Sequence, residues 1–397
     1  MISLDIYEDI FSATMQGSIE ISDSNDLIST FKIHGNEFLD IEIERSTLEE
    51  TFKKTFRIYK ISDRKIKDGA QNYTMYFCSE EFFLSSQILL SKSYKGLTTG
   101  EIIYDIVSNV LKTNPKKINQ NLFETIEVPM DIIIPRLQPF EAIYWLLSRS
   151  FGTNNSLYFF YETRDGFNLS SYENLLKKTV YSDYYPSVKI NNLPEENINS
   201  FTFLQIQEDF DLFRSARFGT FSSRLYNLDI VSKQYQKFDH NIFRNKSSGI
   251  LNKELPMNSF KNRLGFDMYN SYEGMTKYAI TNDADTTRNP IQANEWMVRK
   301  FSRLGQLQSF KMIGTIPGDP LMKAGLTINV EFPKLNPQEK NNIEMNSLRT
   351  GKYLVTAVHH SYKINIHSTV VELLSDSVND YMNAPVESPI LKKLREA

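Results

Sequence analysis

Thr369-Val370-Val371-Glu372-Leu373-Leu374-Ser375-Asp376 decides the fold, because the chain carries the same pattern far upstream. Tyr73-Thr74-Met75-Tyr76-Phe77-Cys78-Ser79-Glu80 is also an alternating strand closed by a serine and an acid. Each stretch follows another strand across a polar turn, around Ile58 in one case and Tyr353–Val358 in the other. Earlier still, Phe38–Glu42 (FLDIE) pairs off with Thr327–Glu331 (TINVE). Self-similarity of this kind reads as an internal duplication of a β unit.

Working outward, the first ninety-five residues are strand-like. Gly17–Ile21, Phe31–Ile33 and Leu39–Glu44 alternate apolar and polar side chains, as does Phe52–Ile61. Turn clusters lie at 22–26 and 65–72, the latter with Asp68-Gly69. Short strands with charged alternate positions predict a small barrel or sandwich with one wet face.

The pattern changes at Leu97. Thr98-Thr99-Gly100-Glu101 has the spacing of a capping box, and Ile102, Ile103, Ile106, Val107, Val110 and Leu111 follow at helical spacing. A second helix is expected from Pro139, and Leu157–Ser171 reads as a hairpin turning at Asp165-Gly166. Further on, 198–206 and 225–235 are expected strands, 238–290 a polar excursion, and 290–307 a helix opened by Pro290. Four more strands complete the chain before its proline-bearing tail.

These readings predict an α+β, mostly antiparallel β chain with two similar small β-barrel domains and mixed α/β insertions. The expected division is 1–96 for the first barrel, 97–199 for a mixed domain, and 200–237 with 308–376 for the second barrel. Residues 238–307 form an insert that packs with 97–199, and 377–397 an extension.

Composition narrows the function. Of 397 residues, 41% are hydrophobic and 23% charged, an ordinary globular balance. Lys+Arg (45) and Asp+Glu (48) leave a net charge of -3, against the basic excess of a dedicated nucleic-acid binder. Cys78 is the only cysteine, which excludes an intrachain disulfide and a cysteine-based zinc site. The opening Met1–Asp5 is polar too early for a signal peptide, and no apolar run reaches membrane-helix length. His359 and His360 are adjacent on an expected strand and point to opposite faces. The acidic pairs Glu49-Glu50, Glu80-Glu81 and Glu195-Glu196 lack the spacing of a facing carboxylate pair. No catalytic, cofactor or metal set is therefore expected.

Several blocks together resemble a family: Asp5–Phe11, Met15–Asp23, Ile33–Glu37, the hairpin Tyr158–Phe167, Pro317-Gly318-Asp319, Ala324-Gly325, and Gly351–His360 with the strand to Asp376. In order and spacing they resemble baseplate central hub proteins of T-even-type contractile phage tails. That resemblance implies a homotrimer whose duplicated barrels join the six-fold tail tube to a three-fold central spike. It implies a virion protein assembled in the host cytoplasm, with spike, tail tube or tube-initiator, tape measure and inner baseplate proteins as partners. It implies a channel through which DNA passes without specific binding, and no active site in the hub itself. On strand alternation, the acidic rows Asp40, Glu42 and Glu44, with Glu331 as counterpart in the second barrel, are expected at the lumen. Two alternatives stand beside this: a hub component of a related contractile injection system, and a tail-associated cell-wall hydrolase.

Overall fold

The computed structural model describes residues 1–44, 52–67, 70–126, 129–152, 157–186, 199–208, 210–242, 249–255, 276–281, 293–332, 346, 348–364 and 366–379. The turn at Asp68-Gly69, the pairs Glu49-Glu50 and Glu195-Glu196, Pro290 and the tail from 380 lie outside the described residues.

The first half is built from β1 (Ser3–Asp9), β2 (Gln16–Asp23), the short α1 (Leu27–Phe31), β3 (Phe38–Ile43), β4 (Phe52–Lys67) and β5 (Ala70–Cys78). All neighbours are antiparallel, in the order β1-β2-β5-β4-β3. Alternation aims Leu4, Ile6, Ile41, Phe52, Phe56 and Phe77 into one core, which Met15 also joins. A Cβ on Gly17 would lie 2.2 Å from the Asp5 carbonyl oxygen and 2.5 Å from the Phe77 ring, so that position is closed to side chains.

The mixed region follows: α2 (Glu80–Gln87), β6 (Ser93–Thr98), α3 (Thr99–Asp105) running on as a π turn at Ile106–Val110, β7 (Ile118–Phe123), β8 (Pro129–Ile133), α4 (Pro139–Arg149), β9 (Tyr158–Thr163), β10 (Gly166–Ser171) and α5 (Tyr172–Leu176). The capping box at Thr98 is formed: the Glu101 N–H donates to Thr98 Oγ1 (3.3 Å) and the Thr98 N–H to Glu101 Oε2 (2.8 Å). Ile102, Ile103, Ile106 and Val107 pack with Ile143, Leu146, Phe160 and Phe167 in a separate core. The expected hairpin is β9–β10, paired antiparallel around Arg164-Asp165. Gly166 has a φ of +118°, and a Cβ there would lie 2.1 Å from the Lys117 carbonyl oxygen.

The remaining elements are β11 (Val180–Pro186), β12 (Asn199–Phe201), β13 (Phe203–Glu208), α6 (Leu212–Phe218), β14 (Ser222–Asp229), β15 (Gln234–Asn241), β16 (Thr276–Thr281), α7 (Ala293–Leu307), β17 (Phe310–Pro317), β18 (Thr327–Val330), β19 (Gly351–Lys363) and β20 (Ile366–Ser375). The antiparallel set β13-β17-β20-β19-β18 forms the second half, and β11 and β12 extend it in parallel from β18.

Three sequence expectations are revised here. Residues 225–235 are not one strand of the second half. Asp229 accepts the N–H groups of Val231 (2.8 Å) and Ser232 (3.3 Å), a side-chain turn that folds β15 back on β14. The polar excursion contributes strands: β16 and the end of β15 join β14 in a separate sheet, whose buried core of Leu225, Ala293 and Val298 comes from outside 238–290. β11, inside the segment assigned to the mixed region, instead joins the large sheet through β18.

The mostly antiparallel α+β class is as expected, and the two halves repeat each other closely. In chain order both place five strands as first-second-fifth-fourth-third. Both carry a register shift at the same place in the fourth strand, between Ile58 and Lys60 and between Val355 and Ala357. Both set the third strand on the fourth alike: Phe38 opposes Arg57 as Thr327 opposes Leu354. Among the described residues neither half closes into a barrel. β1 instead pairs with β19, which merges the halves into one twelve-stranded sheet.

Candidate functional site: one face of a shared sheet

The junction β1–β19 runs antiparallel from Ser3 opposite Lys363 to Asp9 opposite Ala357. One side of it, with Leu4, Ile6 and Val358, faces the two cores. The other side carries Asp5, Tyr7, Asp9, Ala357 and His359 and is partly exposed. Tyr7 stacks on His359 (ring centroids 4.4 Å apart), and the His359 ring nitrogen meets Asp5 Oδ1 at 2.7 Å. Burial, followed by the nearby Asp5 charge, raises the Tyr7 phenol above its ordinary value. Burial also raises the Asp9 carboxyl, with Glu372 adding to the effect.

These residues lie in an open cleft of about 520 Å³, which Gln16, Ser18, Tyr59, Tyr76, Ile313, Val370 and Glu372 also line. Registers carry the same face outward in both directions. Through Gln16, the buried Cys78 and Arg57, which lies under Phe83 of α2, the register leads to Phe38 and then to Asp40 and Glu42 on β3. Two of the carboxylates on this face are paired with lysines, and Asp40 with a neutral hydroxyl. Glu42 meets Lys53 at 3.2 Å, Glu372 meets Lys311 at 2.8 Å, and Asp40 accepts the Thr55 hydroxyl at 2.5 Å. Glu44 is exposed just beyond β3. Glu331 follows β18, accepts from Asn329 at 3.5 Å, and falls at the position matching Glu42 in the repeat. Asp40 and Glu42 thus share one sheet face, and Glu331 falls at the counterpart of Glu42, although the two ends are far apart in the strand order.

Behind the junction the β9–β10 tip is clamped to both halves. Glu8, on the core side of β1, is 2% exposed and accepts the Arg164 N–H (2.8 Å) and the Ala324 N–H (3.0 Å). Burial pushes its carboxyl up to about 7, against those two hydrogen bonds and the Lys54 charge. Lys54 pairs with the buried Glu162 at 2.7 Å, and Glu162 also accepts from the Met15 N–H and the Ser79 hydroxyl. His360 is buried beside this region, bonded to the Met322 carbonyl oxygen at 3.0 Å and pushed down to about 3 by burial. No group of three or more metal-ligating side chains occurs among the described residues.

Neither Tyr7 nor His359 was singled out as a site residue from the sequence. The signal was present in the adjacent His359-His360 pair, one facing the cleft and one the core, but their partners lie at the opposite end of the chain.

Comparison with known proteins places the fold. No family model and no curated protein matches the sequence. Among solved structures, the chain is similar to a tail protein from Neisseria meningitidis MC58, with a TM-score of 0.55 and 12% identity over 94% of this chain and 92% of that one. It is also similar to a tail protein of prophage MuSo2 from Shewanella oneidensis, with a TM-score of 0.55 and 10% identity over 94% of each chain. The chain therefore has a fold found in phage tail proteins.

Proposed function

We propose that this chain is a structural hub of a contractile phage tail baseplate, acting as a homotrimer that adapts the six-fold tail tube to a three-fold central spike. The observation that carries the reading is the repeat: two halves with one strand order and one bulge position, merged edge to edge in a single sheet. Three such chains supply six equivalent halves, which is six-fold towards a tube and three-fold towards a spike. The shared fold with tail proteins and the extent of that likeness along the chain support the assignment.

In this reading the Tyr7–His359 face, continuing to Asp40, Glu42 and Glu44 and matched by Glu331, lines the DNA channel. A bore that carries these carboxylates, with Glu42 paired to Lys53, offers phosphates little net attraction, so DNA slides rather than binds. The spike, tube or tube-initiator, tape measure and inner baseplate proteins are the partners, and the hub carries no chemistry of its own.

Mass photometry of the purified chain, alone and with the spike protein, tests the assignment: a trimer is expected, and a stable dimer or a six-chain ring refutes it. A low-salt titration with duplex DNA tests the channel. Weak binding is expected, whereas sub-micromolar, steeply salt-dependent binding contradicts a passive bore.

A further inference from the structure

Across four strands one row of the shared face reads Asp9, Ala357, Glu372, Ile313, and the next reads Tyr7, His359, Val370. All of them line the open cleft of about 520 Å³. In the first row an alanine stands between two acids, so the carboxylates flank a floor with no side chain beyond Cβ. Strand spacing sets their backbones roughly 9–10 Å apart.

This pole of the cleft is one positive charge short. Glu372 is engaged on both oxygens, by Lys311 at 2.8 Å and by the Thr356 hydroxyl at 2.9 Å. The Asp9 carboxylate accepts the Phe11 N–H at 2.8 Å and makes no ion pair among the described residues. Burial and then the Glu372 charge raise the Asp9 carboxyl, and Lys311 offsets them only in part.

A second acidic pole lies along β1. Asp5 precedes Asp9 by four residues on the same face, roughly 13 Å of extended strand, and meets the His359 ring nitrogen at 2.7 Å. Between the poles the wall is aromatic and aliphatic. Tyr7 stacks on His359, Val370 lies opposite His359, and Tyr59 and Tyr76 (ring centroids 6.4 Å apart) continue the lining. The chain itself sets an alkylammonium on this wall: Lys60 Nζ lies 5.0 Å from the centre of the Tyr76 ring.

We propose that the cleft binds a linear aliphatic polyamine, with one ammonium group at Asp9 and Glu372, another at Asp5, and the methylene chain along Tyr7 and Val370. The site goes beyond the hub reading and does not depend on it.

Chemistry selects this class of ligand. Phosphates and other anions meet carboxylates here. A compact metal ion asks for clustered ligands, and no group of three occurs among the described residues. A neutral molecule leaves Asp9 desolvated without a counter-charge. Separated ammonium groups on an apolar chain match separated acids joined by an apolar wall, and aromatic faces add cation–π attraction. A lysine side chain carries one ammonium group and satisfies one pole only.

The test is calorimetric titration of the full chain with spermidine at low salt. Saturable binding of one molecule per chain is expected. Asp9→Asn is expected to weaken it about tenfold, and Tyr7→Leu several-fold. Lys311→Met makes the same pole more acidic and is expected to tighten binding about threefold, a change of sign that general damage to the fold does not produce. Asp40→Asn, on the same face outside the cleft, should leave binding unchanged. Octanediol supplies the chain without charge and magnesium the charge without chain, and neither should compete. Binding that does not saturate, that magnesium displaces at equal charge, or that is indifferent to both Asp9→Asn and Tyr7→Leu overturns the site. A peptide with a single lysine, acetyl-Gly-Lys-Gly-amide, that binds more tightly than spermidine overturns the polyamine as its occupant. None of these readouts reports oligomeric state, so failure here leaves the trimeric hub to be judged by its mass.

Discussion

The first half joins its first two strands through residues 10–15, whereas the second spends 209–309 on the same connection and fits α6, β14, β15, β16 and α7 into it. Strand order and bulge position survive the difference. The pairing of strands is held by their cores, while loop closure grows costlier only slowly with length, so a surface connection can absorb a whole subdomain. The halves differ again where the fourth and fifth strands meet. In the second, Leu354 and Leu374 are buried against Phe159, Tyr161 and Tyr172. In the first, the equivalent positions are Arg57 and Cys78, and Arg57 packs under Phe83 of α2 at 5.0 Å. One sheet position thus serves a domain contact in one copy of the repeat and a local helix contact in the other.

The comparison breaks most visibly if the halves unfold independently. Phe77 and Leu373 are equivalent and fully buried. Alanine at either is expected to cost about 3–5 kcal/mol. Because β1–β19 joins the halves, both variants should shift a single denaturant transition; two separate transitions would show that the shared sheet does not couple them.

A sharper contrast lies in the glycines. Gly17 sits under Phe77 and Gly314 under Phe201, at neighbouring rather than equivalent positions of the repeat. The three atoms nearest a Cβ on Gly314 belong to the Phe201 and Leu204 side chains, whereas the one nearest a Cβ on Gly17 is the Asp5 backbone oxygen at 2.2 Å. Each glycine-to-alanine change is expected to cost about 1–3 kcal/mol. Phe201→Leu should rescue Gly314→Ala, and Phe77→Leu should not rescue Gly17→Ala. Thermal melts of the four variants check this, and equal rescue in both halves would contradict the backbone clash.

The junction acid gives a smaller, pH-dependent difference. Glu8 titrates at about 7 when folded against an ordinary value of 4.5, so the folded chain holds the extra proton between those values. Its contribution is full below about 4.5 and fades as pH rises through 7. Within that window the unfolding constant is expected to rise by nearly tenfold per pH unit, and Glu8→Gln should remove that share of the slope. The buried His360 acts in the opposite sense, its contribution fading as pH falls from 6.5 towards 3. The measurement is therefore the difference between wild-type and Glu8→Gln stability curves, and parallel curves would contradict the assignment.

The smallest effect is expected on the exposed rim. Lys53 and Glu42 keep 70% and 50% of their side-chain surface in solvent. Lys53→Ala should change stability by less than about 0.5 kcal/mol, and a double-mutant cycle with Glu42→Ala reads the coupling directly.

The repeat was legible because it is written in local alternation. Phe38–Glu42 and Thr327–Glu331 match residue for residue in the structure, as their sequences suggested. The Thr98 capping box and the β9–β10 hairpin were legible for the same reason, being completed within a few residues of chain. β1 was missed as a strand because Glu8 occupies a core-facing position, and an acid there disguises the binary pattern. β14 was read as a strand but run through its turn into β15, and β16 was missed because it lies in a stretch whose polarity read as an excursion.

By itself the sequence determined the strand-rich class, the internal repeat and the face shared by Asp40 and Glu42, all of which follow from side-chain period along a single strand. Only the tertiary structure decided that β1 pairs with β19, that Tyr7 meets His359 across the whole length of the chain, and that the two halves merge into one sheet. Edge pairing uses backbone groups that every residue carries, so no local pattern names the partner strand. That choice falls to the cores and charges the completed fold brings together.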